Sequence, residues 1–164
     1  MISVATIHNA EDFAGMRKAG QLAAETLDMI AEYVKPGVTT ESLDKRCFEF
    51  ADKNNACIAP LFYKGFPKSV CTSINHVICH GIPSSRVLEE GDIVNIDVTV
   101  IVDGWHGDTS RMYKVGKINN KAQKLIDCTY EAMMLGINEI APNKKTGDIG
   151  NAIQTYSEAR SYSI

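Results

Sequence analysis

No stretch of this 164-residue chain approaches the roughly 20 consecutive apolar residues that a helix needs to cross a bilayer. Cys-x-x-Cys pairs are absent too. The five cysteines, Cys47, Cys57, Cys71, Cys79 and Cys128, are odd in number and scattered, which argues against a disulfide framework and for reduced thiols in a cytoplasmic protein. An excess of basic charge is also missing. With 17 Lys and Arg against 20 Asp and Glu, a net charge of -3 and a pI of about 5.8, the chain has no electrostatic reason to seek nucleic acid or an anionic membrane. Met1 to Phe13 carries His8, Glu11 and Asp12 where a secretory signal would place a basic region and an apolar run. What is present is an ordinary globular composition, 45% hydrophobic and 23% charged, on a chain long enough for one domain with a real core.

Apolar periodicity organises that chain into helices and strands, an α+β pattern. Phe13, Met16, Ala23, Leu27, Ile30 and Val34 recur at the three- and four-residue steps of one buried helix face, and Pro36-Gly37 stops the helix. Thr39 or Thr40 caps the next, with Leu43, Cys47 and Phe50 as its apolar stripe. Residues 59 to 90 read as loops and short strands around Pro60, Gly65, Pro67, Gly81 and Pro83. The β-branched run Asp92 to Val102 is a strand, Asp103-Gly104 a two-residue turn, and Trp105 to Val115 the return strand. A helix from about Lys121 to Ile140 should turn Leu125, Ile126, Met133 and Ile137 inward, and a last helix after Thr146 should align Ile149, Ile153 and Tyr156.

A shift of 106 residues sets Val34-Lys35-Pro36-Gly37 on Ile140-Ala141-Pro142-Asn143 without a gap. Thr40 then falls on Thr146, Leu43 on Ile149, Cys47 on Ile153 and Phe50 on Tyr156. One reading is a two-fold design, with a first repeat over about 12–118 and an incomplete second over about 119–164 of a single truncated domain. The other is two unrelated helices with a common Pro-then-Thr start.

The hairpin carries the chemistry. With Asp103 and Gly104 as the turn, opposed residues sum to 207, so Asp97 lies opposite Ser110 and Asp108 opposite Thr99. Opposed residues share a side and side chains alternate, so Asp97 and Asp108 become diagonal neighbours on one face, with Asn95, Thr99, His106 and Ser110 beside them. Their Cβ atoms should lie about 7 Å apart, which suits a pair of divalent cations held about 3.5–4 Å from each other. Left unpaired, the two carboxylates would repel. The same alternation also describes an ordinary hairpin with one solvated face, and a bulge at Gly107 would move Asp108 to the other side.

His80, between the backbone turns at Gly81 and Pro83, could donate a hydrogen bond to a substrate near such metals, or be an ordinary loop histidine. The run Cys71, His76, Cys79, His80 fits no usual structural zinc spacing. Cys79 and His80 are adjacent in sequence, an arrangement that rarely sets up the hydrogen bond a thiol nucleophile needs.

Four stretches together resemble type I methionine aminopeptidase: Tyr63-Lys64-Gly65-Phe66-Pro67-Lys68-Ser69-Val70-Cys71, Cys79-His80-Gly81-Ile82-Pro83, Gly91 to Val100, and Asp103-Gly104-Trp105-His106-Gly107-Asp108-Thr109-Ser110. The similarity runs from about residue 7 to the end, and prolidases share the aspartate spacing but not these surrounding words. The resemblance implies the pita-bread fold, here its first half plus the opening helices of the second, and removal of the initiator methionine when the second residue is small. It implies Asp97 and Asp108 as ligands to two divalent metal ions (Co, Mn, Fe(II) or Zn), and His80 as a catalytic residue that contacts the scissile amide. It places Tyr63, Phe66 and Cys71, with His80, in the substrate pocket, and Asn75 near a monovalent-cation site. Phe66 and Pro60 stand where a tyrosine and a cysteine are usual, and both keep the wall apolar.

In the family's chemistry two metals activate a bridging water that attacks the scissile carbonyl, a glutamate shuttles the proton, and the metals hold the amino terminus and the oxyanion. The expected partner is a peptide or nascent-chain N-terminus, the ribosome being one place to meet it, with no nucleic-acid site and no membrane. The family's remaining ligands, one histidine and two glutamates, have no counterparts in these 164 residues, and Glu131, Glu139 and Glu158 do not match their motifs. The chain alone is therefore expected to be inactive. A non-catalytic pita-bread binding module is the alternative, and pairing of two such halves would still lack the glutamates.

Overall fold

The computed structural model describes residues 6–164, in which four helices and four strands follow one another from an N-terminal helix. The expectation that Met1 to Phe13 is no secretory signal falls partly on residues outside that range. Helix α1 spans Ala10–Ala31 and begins at Asn9, whose side chain accepts from the backbone N–H of Glu11 and Asp12 while Asp12 accepts from the Asn9 N–H. Helix α2, Thr40–Lys53, is capped by Thr39, which accepts from the Ser42 N–H. Strands β1 (Cys57–Ile58), β2 (Cys71–Ile74), β3 (Ile93–Val102) and β4 (Trp105–Lys114) form one antiparallel sheet.

β3 is the spine of that sheet. β4 pairs along its whole length on one edge. The other edge is shared: β1 takes Val100 and Ile101, and β2 takes Val94 to Asp97. Between β1 and β2 the chain leaves the sheet through residues 59–70, so a loop emerges beside Val98 and Thr99, where the Ala59 N–H is still held by the Thr99 carbonyl at 3.0 Å. A split edge thus puts a loop wall next to the middle of the hairpin.

Alternation fixes which face is which. Val94, Ile96, Val98 and Val100 are wholly buried on one side, packed with Leu22, Leu27 and Ile30 of α1 and Leu43 and Cys47 of α2. Contact with α1 is so close that a Cβ placed on Gly107 would stand 2.1 Å from the Ala19 carbonyl oxygen. Only glycine fits there. Tyr113 donates to the Leu27 carbonyl at 2.6 Å and ties the far end of β4 to the same helix.

Two compact units are present, one ending at Ile118 and the other Asn119–Ile164. The second is a helical pair, α3 (Asn120–Asn138) and α4 (Thr146–Glu158). α2 and α4 both begin at the threonine of the aligned pair, Thr40 and Thr146.

Two expectations about helix faces are corrected. Phe13 and Met16 lie exposed, because the buried side of α1 begins only at Ala19. In α3 the buried stripe is Cys128, Ala132 and Gly136, whereas Leu125, Met133 and Ile137 are exposed. The small stripe lets α4 approach closely: a Cβ on Gly136 would lie 2.8 Å from Ile153 Cδ1. Close packing of backbones selected the face.

Candidate metal centre

The hairpin register is the one the turn dictates. Asp103 and Gly104 both have positive φ, 52° and 84°, the backbone of a type I′ turn, whose twist matches that of the strands it joins. Val102 pairs with Trp105, Thr99 with Asp108 and Asp97 with Ser110, with no bulge at Gly107. Asp97 and Asp108 therefore stand on the same face, opposite the buried valines. Cys71 on β2 pairs with Asp97 from the other side, so Cys71, Asp97 and Ser110 form a row across three strands.

Electrostatics shows how close these groups are. Burial pushes the Asp97 carboxyl above its ordinary value, the charge of Asp108 pushes it further, and a hydrogen bond shared with Asp108 adds to the effect, while His80 acts in the opposite direction. Among the described residues neither aspartate is in a salt bridge with a lysine, arginine or histidine. Cys71 rises to about 11, first because it is buried and then because Asp97, Cys79 and Asp108 surround it with negative charge. Its thiol is a neutral wall element at physiological pH.

Above the acid pair lies a cavity of about 930 Å³. Tyr63, Phe66, Cys71, His80, Asp97 and Asp108 all line it, so six of the seven site residues expected from sequence are brought together. The wall comes from the loop between β1 and β2, where a short 3-10 turn at Tyr63–Gly65 is flanked by Phe62 and contains Lys64, both with left-handed φ (66° and 48°). Tyr63 is exposed and Phe66 half-buried, an apolar rim open on one side.

Asn75 is the seventh, and it does not line the cavity. Its side-chain N–H donates to Asp92 at 2.7 Å, and its side-chain oxygen accepts from the Ile93 N–H at 3.1 Å. Asp92, 7% exposed, also accepts from Arg86 and from the Glu89 N–H. Both ends of the Asn75 amide are thus engaged in fastening the start of β3. Sequence reasoning put Thr99 and His106 on the acidic face without a role, and both line the cavity with Ile101 and Ile82. It missed the clasp residue Asp92 altogether, although an aspartate beside Gly91 at the head of an apolar strand is a visible signal.

The donor chemistry fits a divalent ion. Two carboxylates, Asp97 half-buried and Asp108 exposed, share a face and are in no salt bridge among the described residues, and hard cations take oxygen ligands of this kind. Among the described residues no group of three or more His, Cys, Asp or Glu is arranged to hold a metal ion. Two oxygen donors make a partial set. No helix of the described residues is long and apolar enough to cross a membrane.

Comparison with known proteins gives the same picture. Residues 14–163 match metallopeptidase family M24. The methionine aminopeptidase of Rickettsia prowazekii is 61% identical over 158 residues, which cover 96% of this chain and 61% of that protein. The crystal structure of methionine aminopeptidase from the same organism superposes with a TM-score of 0.97, over 98% of this chain and 64% of the other. The corresponding structure from Thermotoga maritima, 29% identical, gives 0.92 over 96% of this chain and 64% of its own. The chain therefore spans somewhat under two thirds of the length of these relatives, and its architecture is the part of the pita-bread fold that they share with it.

Proposed function

This chain belongs to metallopeptidase family M24, and from that premise we propose that it carries the first half of a methionine aminopeptidase site. The reaction is hydrolytic removal of the initiator methionine from a peptide or nascent chain with a small second residue. One observation carries the reading: Asp97 and Asp108 share one face at the floor of a cavity lined by Tyr63, Phe66, Cys71 and His80.

In this reading Asp97 and Asp108 hold two divalent cations, among Co, Mn, Fe(II) and Zn. Bound there, such ions supply Lewis acidity and a low-pKa water. The chain's own residues do the rest of what this half contributes. Tyr63, Phe66 and the neutral Cys71 offer an apolar, polarisable wall to a thioether side chain. His80, coupled to Asp97, offers a ring N–H to the scissile amide. Asn75 stands at a turn near a monovalent-cation position, with its side-chain amide held by Asp92 and Ile93.

A polypeptide of these 164 residues alone is proposed to be catalytically silent. Two carboxylates leave each cation mostly hydrated and weakly held. Titration with Mn²⁺ under calorimetry should give weak binding that is lost in both Asp97→Asn and Asp108→Asn, and a Met-Ala peptide should remain intact with Co, Mn or Fe(II). Mn²⁺ binding untouched by both substitutions would remove the metal reading. Metal-dependent turnover by material whose intact mass matches 164 residues would refute the proposed silence.

A further inference from the structure

His80 sits on a loop, and a loop does not by itself hold a ring in place over a strand. Its backbone lies in the left-handed region, at φ 55°, a conformation unfavourable to a residue with a Cβ that persists only where the surroundings impose it. Something must therefore fix the segment. The observed ties converge on the next residue, Gly81. Its carbonyl accepts from the Thr72 N–H at 2.7 Å, so the segment occupies the edge of β2 that β3 leaves free. Its N–H donates to the Ser73 hydroxyl at 3.2 Å. A Cβ on Gly81 would fall 2.2 Å from the Thr72 carbonyl oxygen, so the approach of the two backbones is closer than any other residue allows.

We infer that Ser73 and Gly81 are positioning residues that present His80 to the acid pair, an inference that rests on the reading of His80 as a substrate-contacting group. Ser73 is only 4% exposed and pairs with Asn95, on the same sheet face as Cys71 and Asp97. A buried hydroxyl two residues along β2 from the cysteine that faces Asp97 thus reaches outward to the backbone that carries the histidine. The other end of the loop is fixed independently by the Asn75 amide on Asp92 and Ile93. Between these two anchors the chain has only residues 76–80 in which to move. Losing the Ser73 tie would leave the Asn75 anchor and the sheet pairing intact but hold the end next to His80 by the Thr72–Gly81 bond alone.

Hydrogen exchange and ring contacts in the isotope-labelled full chain test this by NMR. In the unmodified chain the Gly81 amide should be protected well beyond the amide of Ile78, which is 95% exposed; a Gly81 amide exchanging as fast as that one would overturn the inference without any variant. In Ser73→Ala, Gly81 exchange should accelerate by about tenfold or more. Nuclear Overhauser contacts between the His80 ring and Asp97, on whose carboxyl His80 acts, should weaken while the Val98 amide stays protected, and Ser73→Thr should restore the contacts. Unchanged His80 contacts in a folded Ser73→Ala chain would defeat it. None of these readouts involves metal or turnover, so failure of the clasp is distinguishable from failure of the proposed chemistry, which the Mn²⁺ titration reports.

Discussion

Replacing Asp108 with asparagine should make the metal-free chain more stable at neutral pH. Asparagine keeps the shape of the side chain and removes its charge, and Asp108 is the second-largest cause, after burial, of the raised Asp97 carboxyl. Two unit charges about 7 Å apart repel by about 2.4 kcal/mol at an effective dielectric of 20 and about 0.6 kcal/mol in water. Asp97 is half-buried and Asp108 exposed, so the gain belongs toward the lower end, at about 1 kcal/mol or a rise in Tm of about 2–4 °C. Urea titration in EDTA, followed by the fluorescence of the single tryptophan, measures it. Trp105 opens β4 and lies against Gly15 of α1, so it reports on the hairpin's own unit. Linkage sets the sign. Folding raises the Asp97 carboxyl above its ordinary value of 3.8, so the folded chain holds that proton more tightly than the unfolded one. The accompanying stability is complete below that value and is lost as pH rises through the higher folded one. The variant, with less of a shift, loses less. The two chains should thus converge in acid and separate across the carboxylate range, with the variant above. Saturating Mn²⁺ should reverse the order, because a ligand at ten times its Kd adds about 1.4 kcal/mol only to the chain that binds it. A variant no more stable than wild type in EDTA at neutral pH, or a gain independent of pH, would refute the picture of two mutually repelling carboxylates.

Gly107→Ala should cost about 2–4 kcal/mol in the same urea assay, since the added methyl would meet the Ala19 backbone at 2.1 Å rather than a side chain that can swing away. An alanine variant within about 0.5 kcal/mol of wild type, the usual spread of surface substitutions, would mean that α1 does not bear on the hairpin as described. Alkylation by iodoacetamide at about pH 8, mapped by mass spectrometry, should reach the exposed Cys57 and Cys79 first and leave Cys71 and Cys47, whose thiols stand at about 11 and about 12, largely unmodified. Cys71 reacting as fast as Cys79 would contradict its place as a buried wall of the cavity.

How much of this could be seen in the chain beforehand depended on whether covalent geometry or packing decided it. The hairpin was legible because a two-residue turn fixes the pairing sum, and from Val102 opposite Trp105 the partners of Asp97 and Asp108 are set without further information. The start of α2 was legible to within a residue because Thr39 announces it by its cap. The inner face of α3 was not. Hydrophobic periodicity weights Leu125, Met133 and Ile137, whereas the contact with α4 was settled by the small residues Cys128, Ala132 and Gly136, which bring helix axes together and carry little signal in an apolar count. Asn75 illustrates a different limit. The resemblance placed it near a cation site, but only coordinates show that its amide is committed at both ends to Asp92 and Ile93. Ser73 was invisible for the same reason: its hydroxyl acts on backbone brought near by the fold rather than by sequence.

That division has a functional logic. The two aspartates lie on adjacent strands joined by a two-residue turn, and the opposite face of those strands is pressed against α1 by Gly107 and against both helices by wholly buried valines. Errors in their separation are therefore limited by sheet geometry, which holds side chains more accurately than a loop can. Such precision is needed because the pair is repulsive when empty and useful only at a narrow spacing. His80 cannot share that support, since a group meant to reach over the cavity has to come from outside the sheet's central strands. The fold meets the difficulty by making its loop imitate a strand for one residue, with Gly81 bonded to the edge of β2 and Ser73 holding its N–H. Groups of different reach can meet over one sheet face only if the short ones are rigid and the long one is tethered close to its tip. The residues most exposed to loss by substitution are accordingly those behind the site, Gly107, Gly81 and Ser73, as much as those within it.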